Sequence, residues 1–563
     1  MQFSTTNDSV PLAEAFTHAP IPLAFGTSGR RGDVVDLTEL EIYINVRADL
    51  DHLLTLAASA GGIRQGQPFF YAHDLRASST RIVAEQGGRG ALAQTVALAI
   101  HDAGLVPVNL GALPTPALTA YAIAHGCGSI MVTGSHIPFE RNGYKTNTAF
   151  GEVRKQDELS ITAHVERWRA LLYRLPFAQS RFGADGMLKA PASNLPAADN
   201  AGRAAYLDRF VAFFGTGALA GRKVLVYQHS AVGRDLLLDV LELLGAQVRA
   251  VGRSEVFVPI DTEAIDAATL EAMRQLAVDA SADGSRYEAL VSTDGDSDRP
   301  LIVGLDYDEQ GHCVARFVNG DLIGMLTAAF LEPDAVIVPI SCNDAIDQSA
   351  LAPVLQTKTR IGSPYVLAGM DAAVASGRRR VCGWEANGGF LTASPIERAG
   401  RVLPALPTRD AMLPIICVLA SMGERGLSMR GLLETLPRRY GCAGLLRRFP
   451  RALAQEIVAS LCPGQDPSAD RLRGIRERIA DLFSTAEGFG QLAHVDYTDG
   501  VRMRFDNGDV AHIRPSGNAD ELRLYAVADG QPRANAIVAA GVAEPAGLLR
   551  RLAAACGSGA GRQ

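Results

Sequence analysis

Residues 288–299 read Glu-Ala-Leu-Val-Ser-Thr-Asp-Gly-Asp-Ser-Asp-Arg. An apolar run with strand character, 288–292, leads straight into carboxylates at 294, 296 and 298. In an extended loop alternate residues face the same way, so Asp294, Asp296 and Asp298 point to one side. Three like charges on one side are costly unless a cation joins them. All-oxygen ligation of this kind suits Mg²⁺ or Ca²⁺. A calcium EF-hand would need Gly at the sixth position and Glu at the twelfth, where this chain has Arg299 and Leu305. A solvated acidic turn has the same composition. The strand that aims the loop and the arginine that closes it favour the cation site.

Working outward, strand-like and helix-like patterns alternate. Before the acidic loop come a strand at 223–227 and a helix at 234–244. Further upstream are a strand at 68–73, a helical pattern running to 103, a strand at 106–110, a helix at 115–124 and a strand at 129–133. The Ala-, Asn- and Pro-rich stretch 191–201 reads as a linker. Downstream follow a helix at 321–331 and strands at 335–339 and 379–382. Such alternation predicts α/β units with largely parallel pairing. From 426 onward a helix at 471–482 is combined with strand-like runs at 491–497, 501–505 and 522–526, which predicts a smaller α+β domain. The Gly-rich tail 557–563 is expected to be disordered.

Composition narrows the function. The 563 residues carry 54 basic and 61 acidic side chains, a formal charge of -7, which argues against a general nucleic-acid or membrane-surface binder. No apolar segment approaches the ~20 residues that span a bilayer, and no secretory or transit pattern opens the chain. Eight scattered cysteines form no CxxC pair or Cys/His cluster, so reduced thiols in a cytoplasmic protein are expected.

Four further segments carry chemistry. Thr133-Gly134-Ser135-His136 follows the strand at 129–133, where α/β folds place reacting groups, and Lys145 lies just beyond. Serine is a weak nucleophile without a base or a metal, and His136 and Lys145 offer proton transfer or charge. The segment does not match the G-x-S-x-G elbow of α/β-hydrolases. Gly383-Trp384-Glu385-Ala386-Asn387-Gly388-Gly389 follows another apolar strand and presents Glu and Asn, hydrogen-bonding partners for sugar hydroxyls. Arg514-Pro515-Ser516-Gly517-Asn518, with Arg523 beyond it, reads as a turn that grips phosphate through arginine and backbone N–H groups. Gly26-Thr27-Ser28-Gly29-Arg30-Arg31-Gly32 is a second phosphate-contact loop without the G-K-[ST] ending of a nucleotide P-loop. The glycines at 215, 217 and 221 precede a strand instead of following one, which rejects a dinucleotide fingerprint.

In this order the five segments resemble the α-D-phosphohexomutase family of phosphomannomutases and phosphoglucomutases, from about Phe25 to Tyr525. The resemblance implies four domains around a central cleft: 1–195 bearing a phosphoserine, 196–312 a metal loop, 313–428 a sugar-recognition loop and 429–563 a phosphate clamp. It implies that Ser135 is the phosphoserine and holds Mg²⁺ together with Asp294, Asp296 and Asp298. Arg30, His136 and Lys145 match the catalytic centre, with Lys145 as the proton-transfer group. Arg299 closes the metal loop, Glu385 contacts sugar hydroxyls, and Arg514, Ser516, Gly517 and Arg523 clamp the non-transferring phosphate. Arg360, before Gly362, is placed at a basic cleft position. The chain departs from the family at Ile137, at Asn387 and Gly389 (commonly Ser and His), and at Asn518-Ala519-Asp520 (commonly Thr-Glu-Pro). Asn387 and Asn518 therefore join the substrate-contact set, and the departures leave the choice of sugar open.

The implied activity is interconversion of a hexose 1-phosphate and a hexose 6-phosphate, mannose first and glucose second, with a hexose 1,6-bisphosphate as activator. The expected partner is the hexose phosphate itself, without nucleic acid or membrane, in a cytoplasmic monomer or homodimer. Two alternatives remain at this point: a regulatory sugar-phosphate binding protein without turnover, and a phosphatase using the same aspartates.

Overall fold

Four multi-stranded sheets follow one another along the chain. They belong to a computed structural model that describes residues 10–26, 29–190, 194–263, 265–464, 467–515 and 520–557. The first sheet contains Arg30–Asp33, Pro68–His73, Val106–Ala112, Ser129–Val132 and Arg141–Thr148, with the short Gly151–Glu152 at its edge. The second is built from Lys223–His229, Gln247–Arg253, Ala289–Thr293, Pro300–Tyr307 and Cys313–Val318. The third is built from Ala335–Ile337, Val381–Trp384, Phe390–Thr392 and Leu406–Asp410. All three mix parallel and antiparallel pairs. The fourth, Tyr440–Arg447, Leu492–Asp496, Val501–Phe505, Val510–Pro515 and Glu521–Ala528, is antiparallel throughout.

A repeated topology positions the site. Ser129–Val132 pairs in parallel on one side and antiparallel on the other, with the next strand of the chain. Ala289–Thr293 and Val381–Trp384 do the same. The loop that leaves each of these strands carries, in turn, Ser135, the three aspartates and Glu385. Every residue of the three strands is buried, which explains their continuous apolar character.

Period-two alternation then builds the cores. Phe70, Ala72 and Met131 of the first sheet, Val224, Val226 and Val291 of the second, and Val336, Cys382 and Trp384 of the third all enter one continuous apolar cluster. Their neighbours Phe69, Tyr71 and Ile130 face a separate layer under the helix Glu39–Thr55. Leu225 and Leu290 likewise face away, as do Ile337 and Val381. The fourth sheet has a core of its own around Phe449, Phe483, Phe505 and Leu524.

The expected helices at 115–124 and 471–482 and the strand at 501–505 are present. The helical pattern expected up to 103 is broken: Ala77–Thr80 is one turn, Ile82–Val83 pairs with Arg89–Gly90, and the helix proper is Leu92–Asp102. The β-branched pair Ile82-Val83 favours extended backbone there. Gln247–Arg253 and Ala267–Ala280 complete the second unit and were not foreseen. Of the linker stretch, 191–193 lie outside the described residues and 194–200 form neither helix nor strand. Of the tail, Gly557 ends the last helix and 558–563 lie outside the described residues. Among the described residues no helix is long and apolar enough to cross a membrane.

Candidate active site

Ser135 sits in the loop between Ser129–Val132 and Arg141–Thr148, fully buried and in the left-handed region at φ 56°. For a residue other than glycine that conformation costs roughly 1–3 kcal/mol, so the surroundings must impose it. They do. The Ser135 backbone N–H donates to Thr133 Oγ1 at 2.7 Å, and Arg76 Nη2 donates to the carbonyls of Ser135 at 2.8 Å and Ile137 at 2.6 Å. Asp74 accepts from the Thr133 hydroxyl at 2.9 Å and lies 3.3 Å from Arg76 Nε. The result aims Ser135 Oγ at Asp294 Oδ2, to which it donates at 2.9 Å.

The acidic loop meets the serine loop because Gly295 has no side chain: a Cβ there would stand 2.5 Å from the Ser135 carbonyl oxygen. Asp294 spends both oxygens on the protein, and Asp296 and Asp298 spend one each. Asp294 Oδ1 accepts the backbone N–H groups of Asp298 and Arg299 at 3.1 and 3.2 Å. Lys145 Nζ donates to Asp296 Oδ2 at 2.6 Å and Asp298 Oδ2 at 2.7 Å. Asp296 Oδ1 and Asp298 Oδ1 are buried with no hydrogen-bond partner. Two orphaned carboxylate oxygens beside Asp294 and the serine hydroxyl are a donor set that fits a hard, oxygen-loving cation. The three carboxylates lie close enough together to share one ion.

The charges answer one another. Burial, Asp298 and Asp296 together push the Asp294 carboxyl up to about 8. Burial and Asp298 also oppose ionisation of Asp296, but Lys145 and Thr115 outweigh them and it stays below its usual value. At Asp298 burial is overcome by Arg409, Lys145 and Arg299, which hold it well below the ordinary range. His136 is held well below its ordinary value by burial and by Arg299, Arg31 and Arg409, so its imidazole is neutral. Its Nδ1 lies 3.4 Å from Ser135 Oγ.

Arg30 was expected at this centre, and the structure turns it away. Arg30 pairs across the sheet with Tyr144, while Arg31 pairs with Gly143. Lys145 belongs to the face that Arg31 shares, and Tyr144 to the opposite one. Arg30 accordingly donates to the Leu23 carbonyl at 3.0 Å and meets Asp49 at 3.5 Å. Arg31 stands in the field of Asp296, Arg299, Arg409 and Asp298, and burial pushes it down to about 10. Thr27 and Ser28 lie outside the described residues.

Glu385 reaches the same cleft. Its Oε2 accepts from Arg409 Nη1 at 2.7 Å, and Arg409 Nη2 donates to Asp298 Oδ2 at 2.8 Å. Asn387 spends its side-chain oxygen on the Gly389 N–H at 3.0 Å, shaping the loop. Glu263, absent from the sequence reading, connects this side to the clamp. Burial and Asp261 raise its carboxyl, and Arg523 and Arg299 act against them.

Arg514 is the next-to-last residue of the strand Val510–Pro515 and the cross-strand partner of Arg523. Like charges directly opposite destabilise a sheet unless an anion joins them. Arg523 donates to Glu521 at 3.0 Å, yet its Nε is buried without a partner. Arg514 Nε donates to Asp499 Oδ1 at 3.2 Å, and Asp499 Oδ2 accepts the Ile361 N–H at 2.9 Å. That contact brings exposed Arg360 beside the clamp. Ser516, Gly517 and Asn518 lie outside the described residues.

A buried serine against a triad of aspartates, with Arg514 and Arg523 paired across the fourth sheet, is an arrangement suited to phosphoryl transfer. Residues 22–171 match phosphoglucomutase/phosphomannomutase alpha/beta/alpha domain I, and residues 319–440 match domain III. A phosphomannomutase of Sinorhizobium fredii is 37% identical over 92% of this chain and 98% of its own. A phosphomannomutase of Salmonella muenchen is 36% identical over 91% and 94%. The crystal structure of Aspergillus fumigatus N-acetylphosphoglucosamine mutase shares the fold, with TM-score 0.53 at 14% identity over 97% of each chain. The chain belongs to the α-D-phosphohexomutase family and is a phosphohexomutase.

Proposed function

We propose that this phosphohexomutase interconverts mannose 1-phosphate and mannose 6-phosphate, with glucose phosphates as the second choice, by way of a phosphoserine at Ser135. The observation that carries the reading is Ser135 Oγ on Asp294, beside two unpartnered carboxylate oxygens and ion-paired Lys145. Both bacterial relatives are phosphomannomutases, which supports mannose first. The Aspergillus enzyme was crystallised with GlcNAc-6P and magnesium, which supports Mg²⁺.

Asp294, Asp296, Asp298 and Ser135 would hold Mg²⁺, whose charge offsets the negative charge on the transferring phosphoryl group. The free sugar hydroxyl attacks phosphorus, the bond from phosphorus to Ser135 Oγ breaks, and a hexose 1,6-bisphosphate results. The hydroxyl proton needs an acceptor; Lys145 is the group the family resemblance implies, and His136 Nδ1 lies 3.4 Å from Ser135 Oγ beside it. Lys145, paired with Asp296 and Asp298, points its Nζ at the carboxylates beside the serine. Arg31 takes the role expected of Arg30. The bisphosphate then turns over in the cleft and returns its other phosphate to Ser135. Glu385 and Asn387 orient the hydroxyls, while Arg514, Arg523, Ser516, Gly517, Asn518 and Arg360 hold the phosphate that is not transferring.

In this reading the chain divides into domains at 1–195, 196–312, 313–428 and 429–563, each lending one loop to the cleft. A cytoplasmic location is supported by eight cysteines that are all unpaired. Coupled assays with mannose 1-phosphate and glucose 1-phosphate, primed with the bisphosphate, test the proposal. Hexose 6-phosphate should form without free phosphate. Phosphate release would identify a phosphatase, and binding without turnover a regulatory protein.

A further inference from the structure

Arg409 belongs to none of the sequence motifs, yet it is 3% exposed at the centre of the site. It lies on Leu406–Asp410, whose register against Phe390–Thr392 shifts between the pairs Phe390–Asp410 and Thr392–Leu406. Such an irregularity re-aims a side chain. All three guanidinium nitrogens are used. Nε and Nη2 donate to Asp298 Oδ2 at 3.2 and 2.8 Å, and Nη1 donates to Glu385 Oε2 at 2.7 Å. One side chain thus ties the loop of the second sheet to that of the third. Gly389 makes the room: a Cβ there would stand 2.5 Å from Arg409 Cδ.

We propose that Arg409 is a positioning residue for sugar selection: it fixes the Glu385 carboxylate by one oxygen, leaving the other for the hydroxyls, and locks it to the metal loop through Asp298. The inference rests on the reading of the cleft as a hexose-phosphate site. Two sugars that differ at one hydroxyl are told apart by the direction in which an acceptor is held. A carboxylate gripped by a planar guanidinium has one direction, and an ungripped one has several.

The test uses full-length protein with Arg409→Gln, Arg409→Lys and Gly389→Ala. Turnover of mannose 1-phosphate and glucose 1-phosphate is followed, together with their binding to the dephosphorylated protein by calorimetry. A charge-assisted bond from a sugar hydroxyl to Glu385 is worth about tenfold in affinity, and it is weakened when the carboxylate is no longer held. R409Q should raise KM and Kd for the preferred sugar by up to about that factor, and should shrink the ratio of kcat/KM between the two sugars. R409K, which reaches one carboxylate at a time, should recover part of the ratio. G389A, which displaces the guanidinium, should resemble R409Q. In a Glu385→Ala background R409Q should leave the ratio unchanged, because the two act as a unit. A lower melting temperature with KM, Kd and ratio intact would reduce Arg409 to scaffold and overturn the proposal. So would a further fall in the ratio in the Glu385→Ala background. A wild type that neither binds nor converts either sugar would remove the hexose-phosphate reading itself, and this inference with it.

Discussion

The first three sheets and the fourth solve opposite problems. The first three pour their inner faces into one core, and each sends out a loop from the strand where parallel pairing gives way to antiparallel. Ser135 and all three aspartates are therefore held by shared packing and fully buried. The fourth sheet closes over its own core. Polar contacts join it to the body: Arg439 grips Asp344 at 2.8 and 2.9 Å, and Asp499 receives the Ile361 N–H. On the proposed reading, chemistry needs a fixed geometry, whereas a phosphate that must be held in two sugar orientations needs a clamp that tolerates both. The division of cores provides for each.

The largest break in that comparison is at the serine. Ser135→Ala should abolish mutase activity, and intact mass should show no phosphoryl adduct after treatment with the bisphosphate. Turnover at the wild-type rate would mean that another group carries the phosphate. A smaller loss is expected at the metal loop. Asp296→Asn removes the charge and one of the two oxygens, so the remaining one cannot serve both the cation and Lys145. Breaking a buried charge arrangement costs about 3 kcal/mol or more, about 100-fold in rate. Calorimetry should show weaker Mg²⁺ binding in step, and excess chelator should silence the wild type. Full activity in chelator would take the metal out of the reaction.

The body was more legible in the sequence than the clamp, for a physical reason. Buried central strands write themselves as unbroken apolar runs, and the polar loops that follow stand out against them, as 293–299 and 133–136 do. Parity is not written in the same way. Arg30 and Arg31 are adjacent, and only the register against Gly143 and Tyr144 decides which one faces Lys145. Arg409 has no signature at all, because its place depends on a shifted strand pairing. Pro515-Ser516-Gly517 gives the local signal of a turn, and only the ladder with Glu521–Ala528 shows that Arg514 itself stands on a strand opposite Arg523. Asp74 and Arg76 follow the strand Pro68–His73, and their role is a contact with a loop some 60 residues away, which no local pattern encodes.

The clamp gives the next effect. Arg514→Ala should cost about 2–5 kcal/mol where the phosphate contact is desolvated. KM should rise strongly and kcat fall, because the same contact binds and orients. Ser135 should still accept a phosphoryl group from the bisphosphate, though less efficiently. A loosened clamp should also release more bisphosphate per turnover. Unchanged KM with no added leakage would make Arg514 and Arg523 surface residues and dissolve the contrast between the two regions.

The remaining effect concerns stability and leaves activity at neutral pH untouched, and it asks whether the two cores are thermodynamically distinct. His229 lies beneath the acidic loop, where its Nε2 meets the Thr293 carbonyl at 2.9 Å, and burial lowers it to about 4. His512 lies beneath the clamp, where its Nε2 meets the Asp499 carbonyl at 2.6 Å, and burial, with Arg502 adding, lowers it to about 4 as well. A histidine depressed on folding binds fewer protons folded than unfolded between its two values. Its stabilisation is therefore complete above about 6.5 and is lost as pH falls toward 4, by about 3 kcal/mol at ~1.36 kcal/mol per pH unit. Calorimetric scans from pH 7.5 to 4 should resolve two transitions. His512→Gln should flatten the acid limb of the fourth-sheet transition alone, and His229→Gln that of the body. If one cooperative transition responded equally to either substitution, the Arg439–Asp344 and Asp499–Ile361 contacts would be coupling the two cores into a single unit. The clamp would then owe its tolerance to its own residues instead of to a separately folded sheet.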